Sequence, residues 1–431
     1  MIKLDKIAEY LVYLYVFFMV IDPSGSGSLT KIPFLDLSVK YILLLLLLLF
    51  ILFKYLKWAL AGKWPANHFA GKILSLVCFG SFFVLVGFLR GNDPGYIIKD
   101  SVGLLFYSVG FILIPFISKK EQIVNLLKVL LFSAFTVVIF LIVTEIQLVK
   151  SAISADAINL LIVGNNLGLY VFNEANASFY RISLRAGIFV QVAAALMFSF
   201  VFRKRDKCFW LYAFYLLSCL IGLLILFSRG SWLGMIISVL IIVFYNLKNR
   251  NIKAMFLILF VVAALSSVVI GMSDIRLENA FADRFISSFN FVSDESNAIR
   301  VEQFDMLKNK FIEHPIIGGG FGMNIEGYAR DPDQPYIFEL DYLAMAMKFG
   351  IIGFAVLAGL FFNILRAEYE AIKNIKDKEM RSIGVGVFAS VVGLLVTAAT
   401  NPYLNGVLGN FIVLFSMIIF NVIISAGEVN V

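Results

Sequence analysis

The stretch that decides the reading runs from Arg300 to Gly353. It opens with Arg300-Val301-Glu302-Gln303-Phe304, and the apolar positions Val301, Phe304, Leu307 and Phe311 recur at helical spacing. It continues as Glu313-His314-Pro315-Ile316-Ile317-Gly318-Gly319-Gly320-Phe321-Gly322, then crosses a polar patch from Arg330 to Pro335. It reaches Phe338-Glu339-Leu340-Asp341-Tyr342-Leu343 and enters an apolar run at Phe349-Gly350-Ile351-Ile352-Gly353. The spacing predicts an amphipathic helix from Arg300, lying flat on an outer face and stopped at His314-Pro315. The glycines give a permissive backbone suited to close approach of a ligand.

Outward from this stretch the chain is apolar. Of its 431 residues 61% are hydrophobic and 15% charged, with a mean hydropathy of +0.91. That balance excludes an ordinary soluble domain and predicts an all-α polytopic membrane protein, one domain over 1–431. Apolar runs centre on 1–21, 36–53, 73–89, 97–117, 123–143, 183–202, 209–227, 231–245, 254–272, 349–365, 383–400 and 406–425. These are twelve candidate spans for a hydrocarbon core of ~30 Å, which takes about 20 residues. No small-x-small cleavage site precedes Asp22-Pro23, so the first run is expected to stay as a span.

The net charge of +7 follows topology. With the N-terminus inside, the inside segments carry twenty Lys and Arg, and the outside loops, the longest apart, carry seven. This is the positive-inside pattern, and it predicts cytoplasmic termini and no nucleic-acid partner. Two outside segments exceed a connector: roughly 144–182, and 273–338, a large loop with six basic and eleven acidic residues. So acidic a loop does not draw a diphosphate by its bulk field; individual arginines must hold one. Cys78, Cys208 and Cys219 form no spaced motif and read as buried small hydrophobes. With two histidines in the chain, no metal site and no cofactor is expected.

Arg229 lies in Phe227-Ser228-Arg229-Gly230-Ser231, between two spans with almost no loop. It reads either as a snorkelling anchor or as a guanidinium facing a polar cavity, ready to hold a phosphate bidentately. Arg181 and Arg185 stand four apart where the chain re-enters the membrane, and share a face if the helix has begun there. Arg300 reads either as a solvated first-turn residue or as a ligand-binding one. Glu339 and Asp341 fit a helix N-terminus. Being two apart they do not share a helix face, so at most one addresses a substrate.

The order of these parts resembles the O-antigen ligase and polymerase superfamily of membrane glycosyltransferases. The resemblance rests on Arg300, the amphipathic helix, His314-Pro315-x-x-Gly318-x-Gly320, and Gly350-x-x-Gly353, with Ser228-Arg229-Gly230 opening a span. Tyr180-Arg181-Ile182-Ser183-Leu184-Arg185-Ala186-Gly187-Ile188-Phe189 is similar to the family's "R-x-G-x-F", but Val190-Gln191 follow where the family often has Pro-Asn, which leaves Arg181 and Arg185 both open as the counterpart. Glu339 stands where ligases of the superfamily carry a histidine.

The resemblance implies a twelve-span bundle similar to C-type glycosyltransferases, with a large periplasmic loop, in the bacterial inner membrane. It implies a metal-independent, inverting transferase that takes an undecaprenyl-diphosphate-linked glycan from the bilayer. A chain-length regulator and a flippase would be its partners. Arg229 and Arg300 would hold the diphosphate with Arg181 or Arg185 assisting, Glu339 would activate the acceptor hydroxyl, and Asp341 and His314 would bind the acceptor. The first expectation is a Wzy-type repeat-unit polymerase for O-antigen or capsule. The alternatives are a ligase that moves polymer to lipid A core and, from another class, a lipid-linked-glycan flippase. Charge gathered on one side of the membrane speaks against the flippase, and no internal repeat speaks for one.

Overall fold

The computed structural model describes residues 2–22, 31–32, 37–62, 66–150, 154–156, 169–173, 180–202, 208–246, 295–329 and 334–426. Its helices in chain order are α1 (Ile2–Ile21), α2 (Val39–Ala61), α3 (Ala70–Leu89), α4 (Pro94–Phe116), α5 (Lys120–Val149) and α6 (Gly187–Val201). Next come α7 (Phe209–Leu226), α8 (Arg229–Asn246), α9 (Glu295–Glu313), α10 (Asp341–Asn374), α11 (Lys378–Ala398) and α12 (Val407–Ser425). Among the described residues nine of these are long and apolar enough to cross a membrane: α2 to α5, α7, α8 and α10 to α12. The chain is a multi-pass membrane protein. Two more of the twelve expected spans are helical but fall short of that measure. α6 has 15 residues, and α1 crowds Lys3, Asp5, Lys6 and Glu9 into its first turns. The expected span at 254–272 lies outside the described residues.

Two small antiparallel ribbons qualify the all-α expectation: β1 (Lys31–Ile32) with β2 (Leu37–Ser38), and β3 (Leu169–Asn173) with β4 (Tyr180–Leu184). The second bears on the arginines. Arg181 lies within β4 opposite Phe172, and α6 begins only at Gly187, so the helical face expected for Arg181 and Arg185 does not form. β-Branched and aromatic residues in Tyr180-Arg181-Ile182-Ser183 favour a strand. Cys219 is buried as expected, but Cys78 and Cys208 are exposed; all three are free.

The interior is built where small residues let helices approach. α11 packs against α8 and α6. Ser238 in α8 donates to the Ala389 carbonyl at 2.9 Å, and a Cβ on Gly234 would meet Gly393 O at 2.4 Å. α12 is almost wholly enclosed.

The bundle has two distinct polar ends. One end joins Lys120 to Asp377 at 2.6 Å, Lys54 to Asp5 at 3.0 Å, and the His68 N–H to Asn421 at 2.8 Å. Asp377 also caps α11 by accepting from Glu379 and Met380. Burial pushes its carboxyl up, but the Lys120 bond and these amides outweigh that and hold it below its ordinary value. The other end gathers the termini of α3, α4, α8, α10, α11 and α12, and α9 with them.

Candidate functional site

The amphipathic helix, α9, forms and ends where expected, at Glu313 with His314-Pro315 next, but it begins at Glu295, so Arg300 lies in its second turn and not its first. The segment beyond it is not an open loop. Pro315 to Gly322 inserts between α3 and α10, where α10 breaks at Gly350 (φ 66°, ψ −177°). A break among apolar helices strands backbone donors and acceptors, and each needs a partner. The inserted segment supplies them. Ile351 N–H donates to Pro315 O at 2.8 Å and Ile352 N–H to Ile316 O at 3.3 Å. In return Gly319 N–H donates to Met347 O at 3.1 Å and Gly320 N–H to Lys348 O at 2.8 Å. From α3's side, Phe321 N–H donates to Phe83 O at 3.2 Å, and the Asn92 amide donates to Gly319 O and Phe321 O, both at 2.8 Å.

Two glycines are obligatory in this knot. Gly320 has φ 78°, and a Cβ there would lie 2.2 Å from Gly87 N; at Gly350 a Cβ would lie 2.3 Å from Ile316 O. The close approach expected of the glycine run is therefore to the protein's own helices. An ion pair closes the knot. Lys348 Nζ meets Asp100 Oδ1 at 2.7 Å with both side chains fully buried, and Asp100 Oδ2 accepts from Gly322 N–H at 2.9 Å.

Above the knot sits the pair that sequence singled out. The inward face of α9 carries Arg300, Gln303, Leu307 and Phe311, spaced so that they line up on one side of a helix. Leu307 enters a small core with Met323, Phe338, Ala344 and Met347. Gln303 is fully buried; its carbonyl accepts from Leu340 N–H and its amide donates to the Tyr328 hydroxyl, both at 3.0 Å. That clamp fixes the residue next to Glu339. Arg300 Nε lies 3.0 Å from Glu339 Oε2, the two side chains 23% and 12% exposed.

Asp341 behaves differently from Glu339. It is fully buried, Oδ2 accepts from Leu404 N–H at 2.7 Å, and Oδ1 accepts from the Asn405 amide. This makes it a brace for the loop between α11 and α12. The start of the same loop touches the turn that carries Arg229. Arg229 is the first residue of α8, half-buried, after Phe227 in the left-handed region (φ 50°). Gly230 O accepts from the Thr397 hydroxyl at 3.1 Å, and a Cβ on Gly230 would meet Thr400 and Asn401 at 2.5 and 2.6 Å. Asn401 and Asn405 are four residues apart, a reach of at most ~14 Å. One short loop thus links the Arg229 turn to the Glu339-Asp341 segment.

The structure joins Arg300 to Glu339 directly and Arg229 to them through this loop. Arg185 is exposed at the turn before α6, and no contact among the described residues joins it to Arg300 or Glu339. His314 is half-buried and turns the chain into the knot, its N–H donating to Phe311 O at 3.1 Å and its carbonyl accepting from Gly318 N–H at 2.9 Å.

Sequence reasoning passed over Gln303, Asp100, Lys348 and the loop from Thr397 to Asn405. A signal existed for two of them. Asp100, beside Lys99 at the head of an apolar run, and Lys348, alone in another, are charges that need a partner when buried, and each is the other's.

This is a polytopic membrane protein whose placed arginines and carboxylate gather at one end of the bundle. Residues 213–358 match the family model described as O-Antigen ligase, and the chain carries that family's domain over this range. The matched range holds Arg229, Arg300, Glu339 and the Gly350 break; Asp100, Arg181, Arg185 and the α11–α12 loop fall outside it. Members act on lipid-linked glycans in ligase- or polymerase-type reactions. None of the curated proteins compared with the chain matches it.

Proposed function

We propose that the protein is a repeat-unit polymerase, an inverting glycosyltransferase working on undecaprenyl-diphosphate-linked oligosaccharides at the outer face of the bacterial inner membrane. The observation that carries this is the Arg300–Glu339 pair, a guanidinium and a carboxylate at 3.0 Å, partly exposed and clamped from behind by Gln303. A diphosphate leaving group gathers charge on its oxygens as it departs, and a planar fork of donors stabilises that charge. Arg300 takes this role with Arg229, and Arg181 or Arg185 assists.

As the diphosphate engages Arg300, the guanidinium turns from Glu339, and the carboxylate accepts the proton of the acceptor hydroxyl. The acceptor oxygen forms its bond to the anomeric carbon from the face opposite the diphosphate. The bond from that carbon to the diphosphate oxygen breaks, and its electron pair leaves with undecaprenyl diphosphate. His314, at the mouth of the knot, contributes to acceptor binding. Asp341 supports the site as the brace of the α11–α12 loop. The basic-residue asymmetry orients both termini to the cytoplasm.

One observation favours a second reading. The matching family model is described as O-Antigen ligase, and a ligase would move finished polymer to lipid A core. Glu339 in place of the expected histidine favours the polymerase. A gel of surface polysaccharide from the deletion strain decides between them. A core bearing one repeat is the polymerase result. Polymer absent from the core but retained on carrier lipid is the ligase result, and unchanged polysaccharide would refute both.

A further inference from the structure

α9 presents three parallel stripes. Arg300, Gln303, Leu307 and Phe311 face the protein. One residue on, Val301, Phe304, Lys308 and Ile312 repeat the same spacing, and all four are exposed. One further, Glu302, Asp305, Asn309 and Glu313 form an exposed polar stripe. A helix lying on a protein in water needs only the first and third of these. The second is an apolar surface with one lysine, and it continues past the helix end into exposed Ile316 and Ile317. Val301, Phe304, Ile312, Ile316 and Ile317 are 46–59% exposed.

Backbone bonds fix what this surface adjoins. Ile351 and Ile352 donate to Pro315 O and Ile316 O, which sets Ile316 beside two residues of α10 that are each 57% exposed on a membrane-crossing helix. The stripe is thus continuous with the lipid-facing side of a span. A contiguous exposed apolar surface marks an interaction, and continuity with the bilayer belt names the occupant. Lys308 fits it too, since a lysine stem lies on apolar surface while its ammonium reaches the headgroups.

We infer that α9 and the Ile316-Ile317 turn are sunk into the leaflet at the Arg300 end of the bundle, with Val301, Phe304, Ile312 and Ile316 among the acyl chains. Arg300, one position from Val301 on the helix, then stands at headgroup depth. If the proposed function holds, this placement lets Arg300 receive the diphosphate of a lipid-linked donor without the donor leaving the membrane plane. The insertion itself does not depend on that reading.

The test uses the full-length protein in lipid nanodiscs, with the exposed Cys78→Ala and Cys208→Ala replacements made first. An environment-sensitive fluorophore is attached at Phe304→Cys, Ile316→Cys or Glu302→Cys. Nitroxide on the lipid acyl chains is expected to quench the first two positions, and aqueous iodide the third. Iodide reaching all three positions alike would overturn the insertion. So would shielding of positions 304 and 316 from both quenchers, because a second copy or a protein partner would then cover the stripe.

Polymer formation is the second arm, measured at matched membrane levels. Phe304→Asp is expected to lower it severalfold and Phe304→Leu to preserve it. Normal polymer from Phe304→Asp would overturn the link between depth and turnover. Lipid quenching at positions 304 and 316 in a wild-type protein that forms no polymer would instead refute the proposed function and leave the insertion standing.

Discussion

Two ion pairs, Asp100 with Lys348 and Arg300 with Glu339, differ in what surrounds them. Asp100 and Lys348 are fully buried at 2.7 Å; Arg300 and Glu339 are at 3.0 Å and partly exposed. The first pair locks a helix break and takes a further hydrogen bond from Gly322. No incoming ligand reaches its charges without unpacking the knot. The second pair is only partly buried, and a buried glutamine holds the residue next to Glu339. The glycines of the motif serve the first region, and Arg300 with Glu339 forms the second. A motif that reads as one unit along the chain thus divides into a fastening and a reactive part.

The largest effect is expected at Lys348. Lys348→Ala leaves Asp100 as an uncompensated buried charge, a cost of ~3–5 kcal/mol against a typical total of ~5–15 kcal/mol. Membrane levels and thermal aggregation should both show the loss. Asp100→Asn combined with Lys348→Met should recover much of it, because a well-packed neutral pair avoids the desolvation cost. If Lys348→Ala folded normally and lost only activity, the fastening role would be wrong.

The half-buried pair should show the opposite pattern. Glu339→Gln keeps shape but loses the proton acceptor, a loss of ~100-fold or more in turnover, equivalent to ~2.7 kcal/mol in the barrier. Donor-lipid binding should survive. Arg300→Lys keeps the charge but not the fork, so it should be severely impaired as well. Polymer assays at matched protein levels read both variants, and near-normal polymer from each would strip the pair of its role.

Gln303→Leu stands between the two regions. It strands the Leu340 N–H, a cost of about 1–3 kcal/mol, and loosens the segment that holds Glu339. A lowered melting temperature together with slower turnover is expected; a stability loss with unchanged turnover would separate the clamp from the chemistry. The smallest effect belongs to Lys310→Ala. It removes a rim pair with Glu313 at 2.8 Å and should change stability by less than ~1 kcal/mol and leave turnover as it was.

Much of the fold was legible because spans and amphipathic helices are written locally. Apolar runs of about 20 residues name the spans. The spacing of Val301, Phe304, Leu307 and Phe311 names α9, and His314-Pro315 names its end. The same periodicity did not foresee a strand at Arg181, where ribbon pairing with Phe172 displaces the helix start to Gly187. In the site, Arg300 and Glu339 were both legible as candidates, and Asp341 was expected to bind the acceptor. That Asp341 faces inward was not legible, because its partners, Leu404 and Asn405, lie more than sixty residues away.

By itself the sequence determined a multi-pass membrane protein and which few polar residues stand apart from the apolar background. Those properties follow from hydropathy, charge and period, which act within a turn or a span. The tertiary structure alone decided which of those residues meet. Asp100 finds Lys348 across 248 positions of chain, and the glycine run closes on helix backbone instead of a ligand. The physical reason is that a buried charge or a broken helix must be satisfied wherever a partner can be packed, and packing does not respect distance along the chain.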